Sequence, residues 1–155
     1  MKEKEVRFKY RVAGIALKNN RVLIQRLEKA NYWSLPGGSI ELLEKSGDAL
    51  KREMWEETGI EVEVGRMVWV TENIFLRKKK QLTHEVAFYY IMHIKQQPVP
   101  PESGSSFYGD EQGKRIIFQW FDLVELSKIE LYPEFLKDKL RFLPEGIERV
   151  IIYDI

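Results

Sequence analysis

Hydrophobic positions along the chain fall mostly in short runs of β character, interrupted by polar punctuation and by one helical interval. Phe8 to Leu17 and Arg21 to Leu27 flank Asn19-Asn20, a turn signal, and together predict a hairpin. Glu28 to Ser34 is polar and predicts a loop. Leu35-Pro36-Gly37-Gly38 follows; it stops regular structure and lets the backbone approach another group closely. Ser46 to Thr58 predicts a helix, with Ser46 as N-cap, Asp48 in the first turn and Gly59 as a left-handed C-terminal cap. Glu61 to Leu76 and Leu82 to Ile94 predict two strands joined by the basic turn Arg77 to Lys80. Gln96 to Gly113, with three prolines, three glycines and three serines, reads as a long loop expected to govern substrate choice. Lys114 to Asp122 predicts a strand, Pro133 opens a helix to about Leu143, and Ile147 to Tyr153 is a closing strand. The order predicts an α/β fold of the α+β type, a mixed sheet with helices packed on it, in one domain spanning residues 1–155.

A length of 155 residues suits one domain able to bury its own core. The absence of cysteine excludes disulfides, zinc ribbons and thiol catalysis. Lys plus Arg number 25 against 24 Asp plus Glu, a net charge of +1, which argues against a dedicated nucleic-acid binder. No apolar run approaches the roughly 18 residues of a membrane span. The opening MKEKEVRFKY lacks the apolar stretch of a secretory signal. The expectation is a cytoplasmic protein with no membrane partner.

The helical interval changes the picture. At about 100° per residue, Glu53, Glu56 and Glu57 share an arc roughly 100° wide. Like charges so placed repel, and a divalent cation removes the penalty. Carboxylate oxygens are ligands for magnesium or manganese, whereas zinc or copper favour the His and Cys that are scarce here. Arg52 stands i to i+4 from Glu56 and can fix its rotamer. Leu50 and Met54 border the arc, so the acids edge the core and line a concavity, while Trp55 projects away as a surface or interface residue. A solvated acidic face is the plain alternative.

The wider pattern is Gly38, Glu44, Arg52-Glu53-Met54, Glu56-Glu57 and Gly59-Ile60, covering 23 of 155 residues and led in by Trp33-Ser34-Leu35-Pro36-Gly37. It resembles the box of the Nudix (MutT-type) hydrolases at every defining position. Leu42-Leu43 departs from the Pro-Gly or similar turn of many members, which bears on loop shape alone. The resemblance implies a Nudix-like α/β/α sandwich and an enzyme that hydrolyses a nucleoside diphosphate linked to another moiety, using Mg2+ or Mn2+. It implies Glu56 and Glu57 as main metal ligands, Glu53 as ligand or general base, and a backbone carbonyl of Gly37 or Gly38 at the metal. Arg52 then orients a carboxylate, and Glu44 steadies the loop–helix junction.

Further candidates lie outside the box. A two-residue turn at Lys78-Lys79 places Glu72 opposite Glu85, an unfavourable pair unless it forms an acidic wall of the site or the register differs by one. Arg26 is a candidate substrate contact. Members of the family often recruit one more acid from a late loop, and Glu111 is the choice here, with Phe107 and Tyr108 as candidates to stack on a base or sugar. Markers of the ADP-ribose, diadenosine polyphosphate and coenzyme A subfamilies are missing. A nucleoside triphosphate is therefore the first expectation, ADP-ribose or a nucleotide sugar the second, and capped or triphosphorylated RNA the third. A catalytically silent nucleotide-binding module is the alternative of another class, and a homodimer is left open.

Overall fold

The computed structural model describes residues 5–77 and 81–155. Two sheets form its centre. A five-stranded mixed sheet has the order β4-β1-β6-β5-β9, built from β1 (Glu5–Ile15), β4 (Gly37–Ser39), β5 (Val62–Arg77), β6 (Gln81–Ile94) and β9 (Glu148–Asp154). In it β1 runs parallel to β6, and β5 parallel to β9, while β5 and β6 are antiparallel. A four-stranded antiparallel sheet has the order β2-β3-β8-β7, from β2 (Leu17–Lys18), β3 (Arg21–Leu27), β7 (Ser106–Glu111) and β8 (Lys114–Asp122). One long helix, α1 (Ser46–Thr58), a 3-10 helix (Leu123–Lys128) and a single turn, α2 (Leu136–Lys139), flank them.

Alternating side chains explain the layering. On β1, Val12 joins a core with Leu50, Met54 and Phe118, whereas Ala13 and Ile15 join a second core with Trp69, Tyr89, Leu126 and Leu136. Successive strand residues point to opposite faces, so the central strands are buried on both sides. The first core is closed by α1 and the second by the 3-10 helix and α2, which gives the expected α/β/α arrangement. Within the second core, Trp69, Tyr89 and Phe135 meet edge to face at 5.2–6.0 Å.

Five local expectations are corrected. Asn19 and Asn20 have φ of 54° and 60° and do turn the chain between β2 and β3. The strand before them, however, breaks at Ala16, and β1 belongs to the other sheet. Lys45, not Ser46, occupies the helix cap, and the Ser46 hydroxyl shares a 2.6 Å hydrogen bond with that of Tyr90. Gln96 to Gly113 is not all loop: residues 106–111 are β7, joined to β8 by Gln112 and Gly113 at φ of 49° and 84°. That is a two-residue hairpin turn with glycine second. The helix from Pro133 shrinks to four residues. Finally, Arg77 pairs with Gln81, so Asn73 faces Glu85 and Glu72 faces Val86. Residues 78–80, the rest of the expected basic turn, lie outside the described residues.

Candidate active site

The helix α1 places its chemistry by burying Ala49, Leu50 and Met54 while leaving Trp55 63% exposed. Gly59 ends it at φ 71°, its N–H donating to the Trp55 carbonyl at 2.8 Å. The acids then project along the edge of the β4–β1 pair. Glu57 is 6% exposed, and both of its carboxylate oxygens are buried without a hydrogen-bond partner. Burial, then the charges of Glu53 and Glu111, push its carboxyl up to about 9, with Arg11 pulling the other way. Burial likewise raises Glu53.

Arg52 organises the other carboxylates. Its Nε and Nη2 donate to both oxygens of Glu44 at 2.7 and 2.9 Å. Nη1 donates to Glu53 at 3.0 Å and Glu56 at 3.1 Å, and Nη2 also donates to the Ser39 carbonyl at 2.9 Å. Glu44 in turn accepts the Glu41 N–H at 3.1 Å and is held below the usual carboxylate range by Arg52. The guanidinium thus ties the loop before α1 to the helix and sets the rotamers of Glu53 and Glu56. Arg52→Gln is expected to lower stability by about 2–3 kcal/mol, because it strips three carboxylates of their partner. Urea denaturation of the metal-free protein checks this; an unchanged midpoint contradicts it.

Two glycines shape the floor. A Cβ on Gly38 would lie 2.4 Å from the Glu53 carboxylate, and one on Gly37, at φ 155°, would lie 2.0 Å from the Val12 carbonyl oxygen. A third, Gly109, lets β7 lie against the end of α1, since a Cβ there would meet the Glu57 carbonyl oxygen at 2.7 Å. That packing brings Glu111, at the end of β7, near enough for its charge to act on Glu53 and Glu57.

The donor set of Glu53, Glu56, Glu57 and Glu111 with the carbonyls of Gly37 or Gly38 is all oxygen and suits a hard divalent cation. The unpaired, buried oxygens of Glu57 fit the same conclusion, since an uncompensated buried carboxylate is costly. The charges of Glu53, Glu57 and Glu111 act on one another, but among the described residues no three His, Cys, Asp or Glu side chains are grouped so as to hold a metal ion. Glu56 is turned toward Arg52, its side chain 58% exposed.

Beside these acids lies a cleft of about 930 Å³ on the Ala13 side of the mixed sheet. Lys9, Arg11, Asn73 and Glu85 line its floor, with Tyr32, Phe75 and Tyr132 among its walls. Arg11 connects the two regions: it lines the cleft, donates to the Leu35 carbonyl at 2.8 Å, and its charge reaches Glu57.

Of the candidates outside the box, Glu85 is buried in this cleft. Glu72 is exposed and does not line it. Arg26 donates to the carbonyls of Glu28 and Ala30 at 3.0 and 3.2 Å and covers the Trp33 ring at 5.2 Å, so it clamps its own loop. Phe107 stacks on Phe118 with 5.0 Å between centroids, and Tyr108 is 62% exposed beneath Arg115. Neither lines the cleft. The segment 95–105 is also elsewhere: Pro101 accepts from Arg21, and Ser105 and Gly104 bond to Trp120. Replacing residues 98–102 with a Gly-Ser linker is therefore expected to leave the substrate profile unchanged, reversing the earlier expectation. A changed ratio of kcat/KM between two nucleotides contradicts this. Lys9, Arg11 and Asn73 were missed, although the alternation of Arg7, Lys9 and Arg11 with Val6, Phe8 and Tyr10 carried a signal of period two.

The model of the NUDIX domain matches residues 8–145. The chain belongs to the NUDIX family. A MutT-like protein of Streptomyces ambofaciens is 43% identical over 63 residues, 40% of this chain and 41% of that protein. The RNA pyrophosphohydrolase of Ruthia magnifica subsp. Calyptogena magnifica is 35% identical over 88 residues, 56% of this chain and 45% of that protein. The matched region thus spans less than half the length of these relatives. The crystal structure of a mutator MutT protein from Bacillus halodurans superimposes with a TM-score of 0.63 at 18% identity, covering 94% of this chain and 89% of that one. That likeness establishes the NUDIX fold, mixed sheets flanked by few helices. No described helix is long and apolar enough to cross a membrane.

Proposed function

We propose that this NUDIX protein is a divalent-metal-dependent hydrolase of a diphosphate bond in a nucleoside diphosphate linked to another moiety, a nucleoside triphosphate being the first substrate to test. The observation that carries the reading is Glu57, buried beside Glu53 and under the charge of Glu111 with both oxygens unpaired. Such a carboxylate is explained by a cation. Glu56, Glu57 and Glu111 would hold the ion with a carbonyl of Gly37 or Gly38, and Mg2+ or Mn2+ suits these donors. When bound, the ion supplies neutralisation of diphosphate oxygens and acidification of water. Glu53, fixed by Arg52, either joins the ligands or accepts the proton of the attacking water. Arg11 stands between the acids and the cleft, where it can hold a phosphate oxygen. ADP-ribose or a nucleotide sugar is the second substrate to test. Capped or triphosphorylated RNA follows; the Ruthia magnifica relative is named an RNA pyrophosphohydrolase, which supports RNA as a class. A silent binding module is disfavoured because every box carboxylate is kept.

A nucleotide panel read by phosphate or pyrophosphate release tests the proposal. Turnover is expected with magnesium or manganese, abolished by EDTA and restored by excess metal. Full turnover in metal-free buffer contradicts it.

A further inference from the structure

The mixed sheet has an open apolar face on the side away from the cleft. Val12 packs into the core under α1, so strand alternation puts Val6, Phe8 and Tyr10 on the α1 side of the sheet. Val150 packs into the other core, so Ile151 and Tyr153 turn to that same side. Register lines these residues up across four strands. The central row is Phe8, His84, Ile74 and Tyr153. Val6, Leu82 and Leu76 form the row at the strand ends. The row nearer α1 runs from Tyr10 through Val86 and Glu72 to Ile151. Phe8 and His84 meet edge to face at 5.7 Å, and Val6, Phe8, Ile151 and Tyr153 are 59–68% exposed.

Charge and area both favour a second copy as the occupant. Glu72 is the one charged side chain in the three rows, and Arg149, two residues before Ile151 on the same side, balances it. Arg7, Lys9 and Arg11 stand on the opposite side, so among the described residues the face lacks the cationic rim that an anionic lipid surface attracts. Strands about 4.8 Å apart and rows about 6.8 Å apart give four strands by three rows a plane of about 400 Å². Phe8 and Tyr153 alone present on the order of 250 Å². With Val6, Tyr10 and Ile151 the face presents on the order of 500 Å², so two copies bury on the order of 1,000 Å², the least that a specific interface needs.

We propose that this face is the interface of a homodimer, in which two copies pack their Phe8 rows against each other. The proposal does not rest on the hydrolase reading, since the cleft lies on the other side of the sheet. The shape selects a two-fold axis across the strands. From Val12 onward α1 covers the same side, and a helix about 10–12 Å thick does not enter the gap of about 10 Å between packed sheets. Running the two sets of strands antiparallel carries each α1 past the Val6 end of the other copy. The interface is then isologous, with the apolar central row meeting itself.

Sedimentation velocity of the full chain, from about 1 to 300 µM, tests this. A monomer–dimer equilibrium with a micromolar Kd is expected, because the area is at the low end for a specific contact. Phe8→Asp and Ile151→Asp, at opposite edges of the face, should each weaken the dimer at least about tenfold. Both side chains are exposed, so melting temperature and manganese binding should stay as in wild type. Phe142→Asp, at a 79% exposed apolar residue beyond α2, should leave the dimer intact. A wild-type chain that is monomeric throughout overturns the proposal, and so does a dimer that survives both face variants. Co-sedimentation with phosphatidylcholine–phosphatidylserine vesicles is the second arm. Vesicle binding by a monomeric wild type, lost in Phe8→Asp, would assign the face to a lipid surface and overturn the dimer. A failed hydrolase reading shows separately, in the magnesium assay.

Discussion

Glu57→Gln is expected to reduce turnover by roughly 10³-fold while leaving the metal-free protein more stable than wild type. The side chain changes little in shape, but a negative charge and one anionic oxygen leave the metal site. The stability gain follows from the surroundings of Glu57, whose oxygens are buried without partners beside Glu53 and under the charge of Glu111. The pH dependence has a definite sign. With the folded-state carboxyl pushed up to about 9, well above the usual carboxylate range, the folded protein binds the proton more tightly than the unfolded chain. The associated stability is fully present below the unfolded value and is lost as pH rises through the folded one. The metal-free wild type should therefore lose melting temperature between about pH 5 and pH 9. Glu57→Gln should largely flatten that slope. Glu61→Gln is the control: Glu61 is exposed, pairs with Lys95 at 3.1 Å and lies past the helix cap. A Glu57→Gln protein with near-normal turnover, or with a steeper alkaline loss of stability, contradicts the account.

Gly38→Ala should separate catalysis from folding. The added methyl would overlap the Glu53 carboxylate at 2.4 Å, and the atom in its way is the far end of a side chain, which can swing aside. The cost in stability is then small, but Glu53 is displaced from the place that Arg52 holds it in. A displacement of this size costs activity by roughly 100-fold. Gly37→Ala is the contrasting case. Its methyl would meet the Val12 backbone oxygen at 2.0 Å, and the backbone φ of 155° is one that side chains rarely adopt. That variant should lose more than about 3 kcal/mol and fold poorly. Thermal melts and kcat of the two variants, side by side, check the pair. Equal losses of stability would show that the two glycines do the same work.

The box was legible because its information is local. Spacing on a helix places Glu53, Glu56 and Glu57 together whatever the rest of the chain does, and the helix formed over the residues its pattern marked. The cap at Gly59 and the exposed Trp55 follow from the same periodicity. What failed was long-range. β1 looks like half of a hairpin, yet it leaves its neighbour at Ala16 to pair with β6, a strand about 70 residues on. Nothing in a single strand's alternation names its partner. The register of β5 on β6 hung on one residue of turn length, and a one-residue shift moves Glu72 away from Glu85 and puts Asn73 there instead. β7 was hidden by the prolines and serines before it, although Gln112-Gly113 marked its turn. The cleft depends on these non-local pairings, which is why Lys9, Arg11 and Asn73 emerge only once the sheet is assembled.

Manganese binding, followed by the electron spin resonance signal of the free ion, tests the central claim most directly. Wild-type protein should sequester manganese, with magnesium competing, and Glu57→Gln should lose that binding by at least about tenfold, while Glu61→Gln keeps it. Equal manganese binding by wild type and Glu57→Gln would contradict the assignment of this helix face to the metal.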